Sequence, residues 1–304
     1  MSSEHRSGYV AVAGRPNVGK STLVNRYLGE SILPVSPRPQ TTHRRQLGIL
    51  TLPTAQVVFV DAPGMHSPRH RLGAVLDELA HDALRDADLV LCLFDLSRRP
   101  TPDDRRVAGA VTSSQKPHLA AFNKIDLTPP AALQANWEAY EQLLPAAPVY
   151  GVSATRGDNL DQLLEGIVER LPAGPAYFPA AELTDSHERE LAADLIRAAA
   201  LQALRQEVPH SIAVLIDEFR ERKGRGAWIA ATLFVERESQ KGIVIGKGGH
   251  MLREIGTQAR KDIERMSGRT IYLQLRVKVL PKWRNDEQAL RRLGYRLRSP
   301  SRRP

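Results

Sequence analysis

Residues 14–21, GRPNVGKS, have the spacing G-x-x-x-x-G-K-S. They follow an apolar run, YVAVA (9–13), and precede an amphipathic pattern, STLVNRYL (21–28), which is the strand–loop–helix context that this motif requires. Glycines allow backbone N–H groups to surround a phosphate, and the N-terminus of the following helix adds a favourable dipole. The stretch therefore predicts a phosphate-binding loop.

Within this loop, two side chains carry specific expectations. Lys20 should reach the β- and γ-phosphates of a nucleotide, and the Ser21 hydroxyl should ligate Mg²⁺. The predicted nucleotide-binding residues of the loop are Gly14, Arg15, Pro16, Asn17, Val18, Gly19, Lys20, Ser21 and Thr22.

The fold around the loop follows from the pattern of the first half of the chain. Short apolar runs alternate with amphipathic segments, and the runs are YVAVAG, VVFVDAPG, LVLCLFD, HLAAFNKID and VYGVSA. Apolar strands that are each followed by a helix indicate a mainly parallel sheet covered on both faces. We predict a doubly wound α/β domain, whose ligands bind at the carboxyl ends of the strands.

Polar signatures stand at two of those strand ends. In VVFVDAPG, Asp61 is placed to hold the Mg²⁺ shell, and the N–H of Gly64 can sense a γ-phosphate. The assigned contacts of this turn are Asp61, Ala62, Pro63 and Gly64. The sequence NKID identifies the base, because Asp126 can accept from N1–H and the exocyclic amine of guanine, a donor pair that adenine lacks.

The remaining contacts to the base come from two loops. Asn123 should support the neighbouring loops and the base, while the Lys124 stem should cover the ring. The backbone of Ser153 and Ala154, in GVSAT, is expected to donate to the guanine O6 atom. Four signals at successive strand ends predict specificity for GTP and GDP.

In this order the motifs resemble those of the translation-factor-related GTPases. The resemblance implies a switch threonine that ligates Mg²⁺, and TTHRR (41–45) offers Thr42, with its neighbour Thr41 as the alternative. The predicted metal ligands are Ser21, Thr42 and Asp61, and the predicted catalytic groups are Lys20, Thr42 and Gly64.

Two positions depart from common GTPase patterns. Met65 stands where Ras-like GTPases carry a glutamine that orients water, so slow intrinsic hydrolysis is expected. Asn17 resembles the asparagine of cation-activated GTPases, which helps to hold K⁺ against the phosphates. Stimulation by K⁺ is therefore a hypothesis, and a structural asparagine in a tight turn is the alternative.

Composition and charge separate the two halves of the chain. Of 304 residues, 1–175 contain 18 Lys+Arg and 18 Asp+Glu, so the whole net charge of +9 lies in 176–304. A basic second half indicates either a bound polyanion or a solvated basic face with a basic tail. The sequence shows neither a secretory signal nor a run of about 20 apolar residues. Cys92 is the single cysteine, expected to be buried, and we expect a cytoplasmic protein.

A second glycine-lysine turn occurs in GIVIGKGGHM (242–251). Its spacing does not fit a phosphate loop, and Gly248 stands where a Ser or Thr should ligate metal. Residues 246–249 instead fit G-x-x-G between two helices, the loop that clamps single-stranded RNA in KH domains. The apolar residues 243–245 are expected to provide a floor for unstacked bases. The predicted RNA-binding residues are Ile245, Gly246, Lys247, Gly248, Gly249 and Arg253.

The surroundings of this turn agree with the KH prediction. The pattern is helix–strand–strand–helix–G-x-x-G–helix–strand, and residues 222–304 hold 21 Lys+Arg against 7 Asp+Glu. Trp228, which opens a strand, is expected in the core. Trp283 has two interpretations, stacking on a base or packing at the domain edge.

Together these segments, from GRPNVGKS to VKVLPKW, resemble the Era GTPases over residues 8–296. The resemblance implies binding near the 3′ end of small-subunit ribosomal RNA, assistance in small-subunit assembly and peripheral association with the inner face of the cell membrane. We expect a monomer with a GTPase domain at 1–172, a linker at 173–185 and a type II KH domain with a basic tail at 186–304. The rival hypotheses are an RNA-modifying GTPase and a membrane-tethered signalling GTPase.

Overall fold

The computed structural model describes residues 4–36, 41–65, 67–68, 70–204, 208–222, 226–295 and 297. Its contacts divide the chain into two units. Among the described residues, unit 1 takes those within 1–33, 42–67 and 76–186, and unit 2 takes those within 34–41, 68–75 and 187–304. The expected linker, 173–185, is thus counted with unit 1.

Unit 1 is built on a six-stranded sheet with the strand order β2-β3-β1-β4-β5-β6. β2 is antiparallel to β3, and the other neighbouring strands are parallel. The elements are β1 (Arg6–Ala13), α1 (Lys20–Leu28), β2 (Gln46–Leu52), β3 (Ala55–Asp61), α2 (Arg71–Asp86), β4 (Leu89–Asp95), α3 (Pro102–Ser114), β5 (His118–Asn123), α4 (Pro130–Glu141), β6 (Val149–Val152) and α5 (Leu160–Val168). The first residues of α2, up to Val75, group with unit 2.

This architecture confirms the predicted doubly wound sheet. All residues of β3 and β4 are buried, as expected for strands that are covered on both faces. The antiparallel strand β2 and helix α4 were not predicted. β2 ends within two residues of β3, so the pair forms a hairpin at the edge of an otherwise parallel sheet.

The segment predicted as a semi-rigid linker is bonded to unit 1. The N–H groups of Tyr177 and Phe178 both donate to Gln56 Oε1, at 2.7 and 2.9 Å. The ring of Tyr177 stacks on Tyr9 with a centroid distance of 5.5 Å. Prolines limit the conformations of this segment, and these contacts select one of them.

Unit 2 contains a three-stranded sheet with the order β7-β8-β9, in which β7 is antiparallel and β9 parallel to β8. Ile255, Ala259 and Ile263 form the buried stripe of its longest helix, the spacing of an amphipathic helix on a core. The elements are α6 (Glu188–Ala203), β7 (Ala213–Arg222), β8 (Gly226–Val235), α7 (Glu238–Ile245), α8 (His250–Ser267), β9 (Thr270–Val279) and α9 (Glu287–Arg292).

This order of elements matches the predicted KH arrangement, with α9 as an unpredicted addition. The first strand of this unit begins only at Ala213, because Val208–Ser211 form a 3₁₀ turn. Among the described helices of the whole chain, none combines the length and apolar character needed to cross a bilayer.

Candidate nucleotide site and nucleic-acid interface

The phosphate loop joins the end of β1 to the start of α1, as the sequence predicted. Lys20 is 7% exposed, and its Nζ donates to the carbonyl oxygens of Gly14 and Arg15, both at 3.3 Å. Burial lowers the pKa of the Lys20 ammonium; the charge of Asp61 opposes this effect and that of Arg15 adds to it. A phosphate oxygen at this position would gain a poorly hydrated cation, which strengthens the interaction.

Three oxygen-bearing side chains meet beside the loop. Ser21 Oγ and Thr42 Oγ1 both donate to Asp61 Oδ2, at 2.6 and 3.2 Å, and lie 3.4 Å from each other. Thr42, rather than Thr41, therefore brings its hydroxyl to this cluster. Asp61 Oδ1 is buried and has no hydrogen-bond partner among the described residues. A buried, unpartnered carboxylate oxygen next to two hydroxyls fits a hard divalent cation.

The direction of the Asp61 pKa shift also agrees with a cation at this carboxylate. Burial raises the pKa above its ordinary value, even though the Lys20 ammonium and the hydrogen bonds from Ser21 and Thr42 act to lower it. A divalent cation at this carboxylate would favour the ionised form strongly. The Ser21, Thr42 and Asp61 side chains are thus chemically suited to Mg²⁺.

Gly64 lies directly against the phosphate loop. A Cβ atom at this position would come within 2.6 Å of the backbone nitrogen of Pro16, a distance that real Cβ contacts do not reach, so only glycine allows this approach. The next residue, Met65, is 2% exposed and belongs to the core of unit 1. Met65 therefore packs, and its thioether supplies no group to orient water.

The NKID segment, residues 123–126 at the end of β5, is predicted to recognise the base, and we call it the base loop. It is bonded to the phosphate loop. Asn123 Nδ2 donates to the carbonyl of Val18 at 2.8 Å, and Lys124 Nζ donates to the carbonyl of Asn17 at 2.9 Å. Asn17 has φ 65°, a conformation that asparagine tolerates better than most residues. Asp126 lies in a short 3₁₀ turn and is partly exposed.

The backbone N–H groups of Ser153 and Ala154 have partners within the protein. The N–H of Ala154 donates to Asn123 Oδ1 at 2.9 Å, and the N–H of Ser153 donates to the carbonyl of Asp158 at 3.1 Å. Both N–H groups already have acceptors within the protein, and Ser153 is completely buried. In this structure the two N–H groups hold neighbouring loops together, and their donation to the guanine O6 atom stays a prediction.

Asp95, at the end of β4, is a residue of the site that sequence reasoning missed. It is 1% exposed, and its Oδ2 accepts from Lys124 Nζ at 2.8 Å and from Arg15 at 3.3 Å. Burial acts to raise the pKa of Asp95, but hydrogen bonds from Lys124 and Ser97 and the charges of Lys124 and Arg15 outweigh it, so the pKa lies below its ordinary value. Asp95 thus connects the base loop to the phosphate loop.

Arg15 has a second acidic partner on the neighbouring helix. Asp104 closes the capping box of α3 with Thr101, and the same carboxylate accepts from Arg15 Nε at 3.1 Å. Asp104 is fully buried and Arg15 is 12% exposed. Charge-assisted bonds in such a setting hold geometry well, so α3 helps to position the phosphate loop. For Asp95, the sequence offered one signal, an aspartate at the end of a predicted strand. It did not indicate that Arg15 and Lys124 would be its partners, because both are distant in sequence.

In unit 2, the G-x-x-G turn lies between α7 and α8, as predicted. Gly248 has φ 61°, and a Cβ atom at this position would meet nothing within 4 Å. Lys247 is exposed, and Arg253 donates from Nη2 to the carbonyl of Gly248 at 2.8 Å. The turn is therefore open to solvent and has two cations beside it, which suits an approaching phosphate backbone.

An open cleft of about 700 Å³ begins at this turn. Of the predicted RNA-binding residues, Gly248, Gly249 and Arg253 line it, whereas Ile245, Gly246 and Lys247 do not. Its lining residues are Trp228, Gly248, Gly249, Leu252, Arg253, Gly256, Thr257, Arg260, Ile271, Tyr272, Leu273 and Leu275. The combination of apolar side chains, glycines and arginines fits an unpaired strand of nucleic acid.

The structure corrects the expectations for Val244 and Trp228 and decides between the two interpretations of Trp283. Val244 is fully buried in the core of unit 2 and provides no floor for bases, because α7 packs it inward. Trp283 is fully buried and donates from Nε1 to the Ser211 carbonyl at 2.9 Å, which selects the packing interpretation. Trp228 is not a core residue, since it is partly exposed and lines the cleft.

The basic residues near the cleft divide by their partners. Arg265 pairs with Asp262 at 3.3 Å and Arg284 with Glu236 at 2.6 Å. Arg253 and Arg260 are exposed and line the cleft. The basic surface is therefore a mixture of internally paired arginines and arginines that face the cleft.

Taken together, the geometry defines a guanine-nucleotide-binding GTPase that carries a KH domain. The family models agree: one described as a 50S ribosome-binding GTPase matches residues 9–124, and one described as a KH domain matches residues 207–284. The chain belongs to the Era family of GTPases. It is similar to GTPase Era of Lacticaseibacillus paracasei, with 43% identity over 96% of this chain and 98% of that protein.

Other relatives extend this finding. GTPase Era of Geobacter metallireducens is 44% identical over 95% of this chain and 98% of that protein. Two solved structures match with a TM-score of 0.91 and 38% identity, covering 96% of this chain and 100% of theirs. One is Era in complex with MgGDPNP and nucleotides 1506–1542 of 16S ribosomal RNA, and the other is an Aquifex aeolicus Era variant bound to GDP and AlF₄⁻.

Proposed function

We propose that this GTPase is a nucleotide-controlled switch that binds small-subunit ribosomal RNA near its 3′ end and assists assembly of the small ribosomal subunit. GTP binding fixes the positions of Thr42 and Gly64, RNA engages the cleft of unit 2, and hydrolysis to GDP changes the affinity for RNA. The observation that carries the proposal is the open G-x-x-G cleft, combined with the similar Era structure solved with 16S ribosomal RNA.

The nucleotide side of the proposal assigns roles to residues that the geometry brings together. Ser21, Thr42 and Asp61 would hold Mg²⁺, which neutralises charge on the phosphates. Lys20 would bind the β- and γ-phosphate oxygens. The backbone of Gly64, held against the phosphate loop at Pro16, would respond to the γ-phosphate. Because Met65 is buried, positioning and charge neutralisation would carry hydrolysis, and the intrinsic rate is expected to be slow.

The RNA side is tested by a substitution at the open glycine. Gly248→Asp places a carboxylate where the strand backbone would pass, and aspartate tolerates the positive φ of this position better than most residues. Gly248→Asn is a nearly isosteric neutral control. We expect Gly248→Asp to abolish binding of labelled single-stranded RNA, Gly248→Asn to weaken it only moderately, and both to retain GTP affinity.

The same titration, repeated at several salt concentrations, identifies the type of contact. The logarithm of the wild-type affinity for RNA should fall linearly with the logarithm of the salt concentration, because counterions are released from the phosphates that are contacted. Unchanged RNA binding by Gly248→Asp would show that the turn is not the clamp. An affinity independent of salt would exclude the basic surface as the binding element.

A K⁺ ion beside the phosphates is a further part of the proposal. The proposal rests on the resemblance of Asn17 to the asparagine of cation-activated GTPases, although its φ of 65° also accounts for an asparagine there. We expect single-turnover GTP hydrolysis to be faster in KCl than in NaCl at equal ionic strength. Equal rates would assign Asn17 to the turn alone.

Domain limits, location and oligomeric state complete the proposal. We assign the GTPase domain to 1–172, the linker to 173–185 and the KH domain to 186–304. We expect a cytoplasmic monomer with peripheral association at the inner face of the cell membrane. Sedimentation of the purified chain and its flotation with anionic vesicles test these two expectations separately.

Cys92 does not support the alternative hypothesis that the protein is an RNA-modifying GTPase. This thiol is completely buried in β4, and burial raises its pKa well above the ordinary value. A nucleophilic cysteine needs access and a lowered pKa. Cys92 has neither and is a packing residue.

A further inference from the structure

An exposed pair of aromatic side chains stands at one end of the sheet in unit 2. Trp228 of β8 and Tyr272 of β9 are register partners in neighbouring parallel strands, so their side chains project from the same face. Tyr272 is 48% exposed and Trp228 is partly exposed. Among the described residues, neither ring belongs to the apolar core of unit 2.

Arg222, the last residue of β7, lies over both rings. Its guanidinium carbon is 4.5 Å from the centroid of Tyr272 and 5.5 Å from that of Trp228. These distances correspond to cation–π contacts. The three side chains therefore form a layered cluster, which we call the aromatic corner.

Folding alone does not account for the aromatic corner. A large aromatic side chain normally contributes to stability by being buried, whereas almost half of the Tyr272 surface faces solvent. Exposed aromatic rings and arginine planes are the groups on which proteins stack unpaired bases. The chemistry of the corner therefore matches a nucleobase better than it matches a core.

Position connects the corner to the G-x-x-G turn. Trp228 and Tyr272 line the same cleft as Gly248, Gly249 and Arg253. A strand whose phosphates lie at the turn can thus extend along the cleft to the corner. The two features are parts of one continuous surface.

Charge at the corner favours a polyanion. Two carboxylates near Arg222 on β7 are already paired with arginines, Glu218 with Arg220 and Glu221 with Arg269. Within the described ranges Arg222 itself makes no ion pair, and the lining of the cleft contains two further arginines, Arg253 and Arg260. The charge of Arg222 therefore remains available to a phosphate or to the face of a base.

We propose that Arg222, Trp228 and Tyr272 form a stacking subsite for one unpaired nucleobase of the strand that the G-x-x-G turn holds. The base adds to the existing stack, on the exposed face of Tyr272 or on the outer face of the guanidinium. Stacking of this kind tolerates any base, so the subsite contributes affinity and strand length rather than sequence preference. This inference rests on the proposed RNA-binding function.

The test uses the full chain and a synthetic single-stranded RNA with the 3′-terminal sequence of small-subunit ribosomal RNA, shortened one nucleotide at a time from either end. Tyr272→Ala should weaken binding of the longer RNAs about tenfold. It should leave unchanged the affinity for the shortest RNA that still binds, because that RNA fills only the turn. Tyr272→Phe keeps the ring and should bind like the wild type.

A second measurement locates the contact without relying on affinity. With 5-fluorotryptophan, the ¹⁹F resonance of Trp228, assigned through Trp228→Phe, should shift on adding the long RNA but not the shortest one. The resonance of Trp283 should stay in place, because that ring is fully buried. An abasic nucleotide at the corner should reproduce the loss caused by Tyr272→Ala, with no further loss when both are combined.

The outcomes separate this inference from the function on which it rests. Equal losses for Tyr272→Ala on long and short RNAs, or no loss on any, would overturn the subsite while leaving the clamp intact. Wild-type protein that binds none of the RNAs would overturn both. A Trp228 resonance that moves only when a protein partner is added would assign the corner to that partner instead.

Discussion

The two glycine-lysine turns of this chain differ most in how firmly the rest of the protein holds them. Around residues 14–21, Lys20 is buried, and the base loop, Asp95 and Asp104 all bond to the turn. Around residues 246–249, Lys247 is exposed and Gly248 has open space around it. A small ligand needs fixed donors at several points, whereas a strand of nucleic acid needs access. We therefore propose that two turns of similar local composition bind two different kinds of ligand.

The largest expected effect lies at Asp126, the residue proposed to recognise guanine. Asp126→Asn exchanges a group that accepts two hydrogen bonds for one that can also donate. The protein should therefore lose its preference for GTP and bind xanthosine triphosphate (XTP) more tightly. Sites built on such a required hydrogen bond discriminate by roughly 10⁴. Competition between GTP and XTP in a hydrolysis assay measures the ratio.

The control for this change is Asp161→Asn, which removes an exposed carboxylate from α5. It should leave the GTP to XTP ratio as in the wild type. If the Asp126→Asn protein keeps full selectivity for GTP, base recognition resides elsewhere.

Removing the buried lysine should produce the next largest effect. Lys20→Ala takes away a cation whose desolvated position strengthens its attraction for phosphate, and we expect hydrolysis to fall by at least about a hundredfold. Single-turnover assays at saturating GTP measure this. Lys116→Ala, in the same unit but outside the loop, should hydrolyse GTP normally, and a comparable loss there would point to a general effect of charge.

Asp95→Asn tests whether the cross-link between the two loops contributes to stability. The pKa of Asp95 is lowered in the folded state, so its carboxylate stabilises the fold above the unfolded pKa of about 3.9, and this contribution disappears as pH falls through the lower folded value. We expect the variant to lose about 2 kcal/mol of unfolding free energy at pH 7, with the difference shrinking below about pH 4.

Denaturant titrations of both proteins from pH 7 downward check this prediction. Glu141→Gln, at an exposed position of α4, should change stability by less than about 0.5 kcal/mol at every pH. A deficit of Asp95→Asn that stays constant down to pH 3 would show that the carboxylate charge is not responsible.

The smallest effect is expected at the exposed lysine of the open turn. Lys247→Ala removes one phosphate contact, so RNA affinity should fall several-fold and the slope of log affinity against log salt should decrease by about one. GTP hydrolysis should be unchanged. A large loss of GTPase activity in this variant would remove the distinction between the turns.

The individual motifs were accessible from the sequence because each depends on local spacing. A strand, a glycine-rich loop and a helix place Lys20 and Ser21 regardless of what lies elsewhere, and G-x-x-G between two helices does the same for Gly248. The parallel sheet followed from the apolar runs, because covered strands have no polar face. The hairpin strand β2 escaped because no helix separates it from β3, so it breaks the alternation of strands and helices on which the prediction was based.

What only the tertiary structure decided concerns residues that are distant in sequence. Thr41 and Thr42 are equivalent in the sequence, and only the position of Asp61 distinguishes them. Asp95 acquires its role from Arg15 and Lys124, on two other loops.

The aromatic corner exists because Arg222, Trp228 and Tyr272 end up on adjacent strands of unit 2. The sequence by itself determined the chemistry of each loop, since steric and hydrogen-bonding rules act over a few residues. The meeting of those loops depends on which apolar faces pack together, and that is a property of the whole fold.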